Sequence, residues 1–221
     1  MGLLYIKLVD VKSYRKIDHH FGVVKENQMT TTRKADHPIQ PIFLERWSPR
    51  SFDPIDMPAA DLMCMLEAAR WAPSAFNIQP WRFLYSRRED VYWSCYLDTL
   101  DAFNRSWANQ ASALVAVLSN TITPSDHQAP LRSHSLDAGA AWAHLALQAT
   151  SLGYQAHAMA GIDLARAREA LNVPDNFCIQ IIIAIGKKAD PARLPEELRK
   201  REIPSDRLPL NKIAFAGGFP Q

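Results

Sequence analysis

An alanine-rich segment at residues 135–152 constrains the fold more than any other part of the sequence. From Asp137 it reads DAGAAWAHLALQA, and alanine has the strongest intrinsic preference for the helix. The segment is apolar on nearly every side, which is typical of a central helix rather than a surface helix. Gly153 follows it and is expected to end the helix. We interpret His144 as a core histidine with a satisfied hydrogen bond rather than as a catalytic base.

Apolar runs alternate with helix-like periods along the rest of the chain. The predicted strands are 81–85, 113–118, 155–159 and 178–186, and the predicted helices are 59–71, 90–108, 135–152, 163–171 and 194–201. The second and fourth strands are continuous apolar runs of the kind that is buried on both faces. This alternation predicts an α/β protein, or an α+β protein with a mixed sheet.

Charge and cysteine content exclude several classes of protein. The formal net charge of the 221 residues is +2, which indicates neither a nucleic-acid surface nor a membrane surface. The three cysteines are Cys64, Cys95 and Cys178, and their wide spacing indicates no disulfide framework and no zinc site. Cys64 and Cys178 lie in apolar runs, so we expect buried, reduced thiols. No apolar run approaches the ~20 residues that span a bilayer, and we expect a cytoplasmic protein.

The first 36 residues differ in composition from the rest of the chain. They contain His19-His20 and Thr30-Thr31-Thr32 but little periodic apolar pattern. We expect residues 1–36 to be a flexible N-terminal extension and residues 37–221 to be the folded domain. Met29 could itself be a start, which would place residues 1–28 outside the native protein. The histidine pair is interpreted as solvated rather than metal-binding, because no further ligand stands at a suitable spacing.

A loop at residues 73–81 has an unusual composition for a joint between a helix and a strand. It reads PSAFNIQPW, and its two prolines fix φ and remove backbone donors, so the loop is stiff. Ser74, Asn77 and Gln79 offer hydrogen bonds from this rigid frame. Rigid loops with directed polar groups are frequent ligand sites. A proline-rich helix terminator beside a buried tryptophan is the equally plausible structural interpretation.

A phosphate ligand, if there is one, must be bound by side-chain cations. No glycine-rich phosphate motif is present among the 8 glycines. Arg46, Arg50 and Arg207 are the candidates, because each lies in a proline-flanked, non-helical segment and arginine's planar fork suits phosphate oxygens. Ser48 adds a hydroxyl between two of them. The alternative is that Arg46 and Arg50 are a solvated pair before a helix.

Taken together, these segments resemble the FMN-dependent nitroreductase family over about residues 42–219. The motifs that carry the resemblance are, in order, RWSPRSF at 46–52, APSAFNIQPW at 72–81, the alanine-rich helix ending in SLG at 151–153, AGID at 160–163, IG at 185–186 and RLPL at 207–210. The second motif is the most specific. The resemblance implies an α+β fold with three α/β/α layers, in which a central mixed sheet is wrapped by helices. It also implies an intertwined homodimer that holds tightly bound FMN at the subunit interface.

The family pattern also implies cofactor-binding positions. Arg46 and Ser48, with Trp47 between them, match the ribityl-phosphate end, and Arg207 matches the C-terminal phosphate ligand. Arg50 matches a cation beside the N1/C2 side of the flavin ring, where negative charge develops on reduction.

Further implied cofactor-binding positions lie in the middle of the chain. The segment that the partner subunit contributes is matched by Pro73, Ser74, Ala75 and Asn77. The loop whose backbone N–H meets flavin N5 is matched by Met159, Ala160 and Gly161. Asn104 matches an amide near the flavin ring.

Three positions depart from the family pattern. Ser205, also counted as cofactor-binding, stands where many members carry a lysine, so one phosphate cation is missing. Trp107 stands where some members have a lysine, and an aromatic side chain there would make the pocket more apolar. Ala160 replaces an acidic residue found in some members. These departures leave the substrate more open than the cofactor.

The resemblance implies an oxidoreductase in which NAD(P)H reduces FMN, after which a nitroaromatic, quinone or related electrophilic acceptor takes the electrons in ping-pong order. No side chain would then be an acid–base catalyst, and no metal is expected. Two alternatives stay open: a flavin storage or sensor protein without turnover, and a branch that acts on one metabolite. The preference between NADH and NADPH is also open.

Overall fold

The computed structural model describes residues 33–123 and 126–220, without the side chains of residues 126–128. The helices are α1 Ile42–Glu45, α2 Ala59–Arg70, α3 Trp93–Asp98, α4 Ala102–Ala108, α5 His134–Ser151, α6 Leu164–Ala170 and α7 Glu196–Arg199. The strands are β1 Phe52–Asp53, β2 Trp81–Arg87, β3 Ala113–Asn120, β4 Ile122–Thr123, β5 Asp126–Pro130, β6 Gln155–Met159 and β7 Phe177–Lys188. The His19-His20 pair, Met29 and nearly all of the proposed extension lie outside the described residues, so the extension remains a prediction.

The central sheet is organised around β7, the longest strand. β3 pairs with one edge of β7, while β6 and β1 pair in succession with the other, and β2 completes the sheet beyond β3. β4 and β5 form a separate two-stranded hairpin. Every strand pair in the described part of the chain is antiparallel. The α+β class is confirmed. Within the described residues, the strands of the central sheet pair in antiparallel orientation.

Helices cover both faces of the sheet, because successive strand residues point to opposite sides. Val115 and Ile183 pack in one apolar cluster with Leu62 of α2 and Leu145 of α5. Their neighbours in β3 and β7 pack in the second cluster on the other face, which contains Trp107 of α4 and other residues of α3 and α4. The predicted three-layer α/β/α arrangement is therefore confirmed.

The alanine-rich helix α5 is buried along one face only. Ala141, Leu145 and Ala149 are fully buried against α2 and the sheet. Leu136, in contrast, is 77% exposed, and Ala143 is also exposed. The prediction of a central rather than a surface helix is thus wrong for this exposed face of α5 in a single chain. The helix ends as predicted, with Gly153 in the left-handed region at φ 74°.

The aromatic-rich segment 90–108 forms two short helices instead of the one predicted. The Asp101 carboxylate accepts a hydrogen bond from the Asn104 N–H at 2.7 Å, which caps α4 and starts a new helix. An aspartate at this position satisfies a backbone donor that would otherwise have no partner. The break separates α3 from α4, and it brings Asp101 and Asn104 to the loop after β6.

One thiol and the apolar C-terminal tail are exposed in the structure. Cys64 is exposed on α2 and Cys178 is half-buried, so the expectation of buried thiols is wrong for Cys64, although all three cysteines are free. The apolar tail after residue 204 is exposed over its described length, including Phe219 at 87%. In the described ranges, no helix is both long enough and apolar enough to cross a bilayer.

Candidate functional site

A cavity of about 300 Å³ is lined by the two arginine-bearing segments that the sequence singles out. The predicted residues in its wall are Arg46, Trp47, Ser48, Arg50, Ser205 and Arg207. The residues that the sequence did not single out are Arg33, His157, Arg201 and Ile203. A single chain therefore brings five guanidinium groups from three separate segments to one cavity.

Four of these five guanidinium groups have no carboxylate ion partner among the residues that the structure describes. None of Arg46, Arg50, Arg201 and Arg207 forms an ion pair within the described part of the chain. Burial, followed by the charges of Arg207 and Arg33, lowers the pKa of Arg46. Such crowding of like charges is unfavourable without an anion, so the cavity is suited to an anionic ligand.

Arg50 is held from behind by a buried carboxylate of the C-terminal segment. Glu202 is 6% exposed, and its Oε1 accepts hydrogen bonds from the N–H groups of Arg50 and Ser51 at 2.7 and 2.8 Å. This contact attaches residues 50–51 to the segment that also carries Arg201 and Arg207. It leaves the Arg50 guanidinium 5.9 Å from the centroid of the Phe103 ring. Burial and then the charge of Arg201 lower the pKa of Arg50, which the charge of Glu202 partly offsets.

His157 of β6 forms the floor beneath Arg50. Its ring lies 4.6 Å from Trp107, centroid to centroid, and its Nδ1 is 2.9 Å from the Pro49 carbonyl oxygen, to which it donates in the neutral tautomer. Burial lowers the pKa of His157 from 6.5 to about 4, and the charge of Arg50 acts in the same direction. The imidazole is therefore neutral at pH 7.

Asn104 and Gly161 form a second group beside Phe103. Asn104 Nδ2 donates to the Gly161 carbonyl oxygen at 3.2 Å, and the Asp101 N–H donates to the same oxygen at 3.1 Å. A Cβ at Gly161 would collide with the Asp101 carboxylate and lie 2.5 Å from Asn104 Nδ2. Glycine is thus required for this close approach. Of the other two predicted positions in the loop, Ala160 is exposed and Met159 is buried with Trp107 in the second core cluster.

The loop that contains Pro73, Ser74, Ala75 and Asn77 is rigid for an additional reason. Three of its residues, Phe76, Asn77 and Gln79, have φ between 50° and 56°, a region that side chains other than glycine rarely adopt. Ser74 Oγ accepts from the Gln79 N–H at 3.0 Å. The Ala75 N–H points at the Asp137 carboxylate at 3.4 Å. Phe76 is 99% exposed at the tip.

This loop and the cation cavity lie at opposite ends of the chain's own fold. The loop contacts the first turns of α5 through Asp137, whereas Gln155, just after α5, accepts a hydrogen bond from the Trp47 N–H at 3.3 Å. Asp137 and Ser151, at the end of α5, are 14 residues apart, which is about 21 Å along a helix. Residues 73–77 therefore do not meet Arg46 or Arg50 within one chain.

Two of the three side chains that depart from the family pattern, Ser205 and Trp107, lie at or next to the cavity. Ser205 accepts a hydrogen bond from Arg207 Nη1 through its hydroxyl at 3.2 Å, so it supports that guanidinium. Trp107 is 1% exposed and lies behind Arg50 and His157. The expectation that Trp107 makes the pocket more apolar is wrong, because its ring belongs to the core and not to the cavity wall.

The residues that sequence reasoning missed gave weak local signals. Arg33 lies in the composition-biased segment and His157 lies in a short strand, and neither belongs to a recognisable motif. Arg201 follows a charged helix, where an arginine is ordinarily solvated. Only the antiparallel pairing of β6 with β7 and the path of the C-terminal segment bring them together.

Comparison with known proteins gives a consistent result. The family model described as the nitroreductase family matches residues 44–93 and 85–187. A solved structure of an oxidoreductase containing FMN is 45% identical, with a TM-score of 0.83 over 87% of this chain and 98% of that one. An uncharacterised 15.4 kDa protein of Mycolicibacterium smegmatis is 37% identical over 113 residues, 51% of this chain and 74% of that protein. A protein named NADH dehydrogenase of Thermus thermophilus is 28% identical over 200 residues, 78% of this chain and 92% of that protein.

Proposed function

The chain belongs to the nitroreductase family, and from this premise we propose that it is an oxidoreductase with tightly bound FMN. In this proposal NAD(P)H is the electron donor, and nitroaromatics, quinones or related electrophiles are the acceptors. The observation that carries the proposal is the cavity lined by Arg46, Arg50 and Arg207, none of which has a carboxylate ion partner among the described residues. A phosphate monoester carries a charge of about −1.5 to −2 at neutral pH, so it matches this surplus of cations.

The residues in the cavity fit the two polar parts of FMN. Arg46 and Arg207, with the hydroxyl of Ser48, offer donors to the phosphate. Arg50 has a buried Nε without a hydrogen-bond partner among the described residues, so one of its donors is still to be satisfied. A flavin carbonyl beside this guanidinium would satisfy the donor and place positive charge at the N1/C2 side of the ring.

The surrounding side chains would bind and orient the cofactor without taking part in proton transfer. When bound, FMN supplies the hydride chemistry that links NAD(P)H to the acceptor in ping-pong order. His157 lines the cavity but stays neutral, and its Nδ1 is engaged by the Pro49 carbonyl. Asn104 holds the Gly161 carbonyl, which fixes the loop expected beside flavin N5. No acid–base catalyst from the protein is included in the proposal.

A complete site requires two copies of the chain in this proposal. The loop at residues 73–77 and the cation cavity lie at opposite ends of one chain, so the loop would serve the FMN bound mainly by the other subunit. Exposed Leu136 on α5 and the exposed apolar tail offer surface for such contact. Light scattering after gel filtration should give the mass of a dimer, and the flavin absorbance of the same peak should correspond to one FMN per chain. A monomer that binds FMN with full affinity would contradict this arrangement.

The proposed activity is tested by spectroscopy followed by steady-state kinetics. Purified protein titrated with FMN should gain a bound-flavin band near ~450 nm, a property of the cofactor itself. NADH and NADPH are then each supplied with a quinone and a nitroaromatic acceptor. Bound FMN that neither nucleotide reduces would favour the flavin storage or sensor alternative. The cytoplasmic location remains a prediction.

A further inference from the structure

Arg33 lies outside every motif that resembles the family, yet it lines the same cavity as Arg46 and Arg207. We infer that Arg33 is a third ligand of the FMN phosphate and supplies the cation that is missing at position 205. This inference rests on the proposed function, since it concerns the cofactor's phosphate. The residue precedes the region matched by the family model, which starts at residue 44.

The position of Arg33 is fixed by the backbone of the segment that carries Arg46. Its Nη1 donates to the Arg46 carbonyl oxygen at 2.8 Å and to the Leu44 carbonyl oxygen at 3.3 Å. The charge is therefore attached to the start of the RWSPRSF segment. An arginine anchored in this way loses less conformational freedom on binding a ligand than a solvated one.

Electrostatics connects the same three side chains. Burial and then the charge of Arg207 lower the pKa of Arg33, which the charge of Asp206 partly offsets. The pKa of Arg46 is lowered by burial and then by the charges of Arg207 and Arg33. The charged forms of Arg33 and Arg46 are thus each destabilised by another arginine of the group. A phosphate with a charge of about −1.5 to −2 between them would reverse this repulsion.

Ser205 has a different role from the lysine that many family members carry at this position. Arg207 Nη1 donates to the Ser205 hydroxyl and carbonyl, both at 3.2 Å. Ser205 therefore orients Arg207 and contributes no charge of its own. The site keeps three cations for the phosphate, with the third arriving from residue 33 and not from the C-terminal segment.

The test compares FMN affinity among matched variants of the full chain, measured by flavin absorbance and fluorescence. Arg33→Gln removes the charge but keeps an amide donor, and Arg33→Lys keeps the charge. Arg199→Gln removes a charge from an exposed position on α7 and serves as the control. We expect Arg33→Gln to weaken FMN binding by roughly 10- to 100-fold, the range for a charged hydrogen bond. Arg33→Lys should lose much less, and the control should stay within about twofold of wild type.

Two further measurements separate phosphate binding from a structural role. Riboflavin has the same ring but no phosphate, so its affinity should be equal in wild type and in Arg33→Gln. Adding Ser205→Lys to Arg33→Gln should recover most of the lost FMN affinity, since it restores a third cation.

The inference is overturned by either of two results. One is unchanged FMN affinity in Arg33→Gln, and the other is an equal loss for FMN and riboflavin, which would indicate a folding effect. Wild-type protein that binds no FMN would instead refute the proposed function. The thermal unfolding midpoint of each variant shows whether it is folded.

Discussion

His157 should make the stability of this protein depend on pH below neutrality. The imidazole is enclosed between Trp107, 4.6 Å away, and the Pro49 carbonyl, 2.9 Å from Nδ1. Burial and the nearby charge of Arg50 lower its pKa to about 4 from an ordinary value of 6.5, against the opposing effect of the Pro49 hydrogen bond. The folded protein therefore resists protonation at a site that is protonated readily when the chain unfolds.

The sign and size of the effect follow from proton linkage. Between pH 6.5 and pH 4 the unfolded chain binds more protons at this site than the folded protein, so stability falls as pH falls. The two pKa values correspond to about 1.8 kcal/mol lost between pH 7 and pH 5. With a urea dependence of about 2 kcal/mol per molar, the unfolding midpoint would move by roughly 0.9 M.

The assay is urea unfolding at pH 7 and pH 5, at one fixed FMN concentration, in wild type and His157→Gln. Glutamine keeps an amide donor for the Pro49 carbonyl but does not titrate. The difference between the two proteins in their pH dependence isolates residue 157, because other titrating groups cancel. His144→Gln, which alters a half-buried histidine on α5, is the matched control for the histidine-to-glutamine replacement itself.

Two outcomes would refute this reasoning. The first is an identical pH dependence in wild type and His157→Gln. The second is an NMR titration that gives His157 a pKa above 6 in the folded protein. Either would mean that the folded protein protonates His157 about as readily as the unfolded chain does, so that the imidazole would be charged beside Arg50 at pH 5.

Three other substitutions test parts of the site. Gly161→Ala should destabilise the protein by roughly 1–3 kcal/mol, since the added methyl collides with the Asp101 carboxylate; thermal unfolding measures this, and an unchanged midpoint would show that the loop can shift freely. Glu202→Ala should lower the free energy of unfolding by about 2–4 kcal/mol, because two backbone N–H groups lose a buried carboxylate partner. Glu202→Gln should lower it clearly less in urea unfolding. Equal losses in the two variants would show that the negative charge of Glu202 is not what stabilises this contact. Arg46→Ala should weaken FMN binding by about 1.5–3 kcal/mol if it pairs with phosphate, and unchanged flavin affinity in a titration would remove Arg46 from the site.

Elements determined by local chemistry could be predicted closely from the sequence. The strand at 155–159 has the predicted bounds, and Asp163 caps the helix that follows it by accepting from the Arg166 N–H at 3.0 Å. Capping and period are properties of neighbouring residues, so they can be read without knowledge of the fold. The helix break at Asp101 was missed because the aromatic residues on both sides continue a helical pattern.

The candidate site could be predicted only in the parts that lie in contiguous motifs. Arg46 and Arg50 stand four residues apart, and the structure places both in one cavity. Arg33, His157 and Arg201 reach that cavity through strand pairing and the return of the C-terminal segment, which no local pattern encodes. The burial of Trp107 was missed for the same reason, since a tryptophan on a helix can face either the core or a pocket.

The most direct test of the central claim is an FMN titration of the purified full-length protein, followed by absorbance near ~450 nm and by equilibrium dialysis. We expect saturable binding of one FMN per chain, with riboflavin bound much more weakly because it lacks the phosphate that the arginines would hold. Protein that shows no flavin band would contradict the proposed FMN site. Equal affinity for FMN and riboflavin would show that the cation cavity has no part in binding.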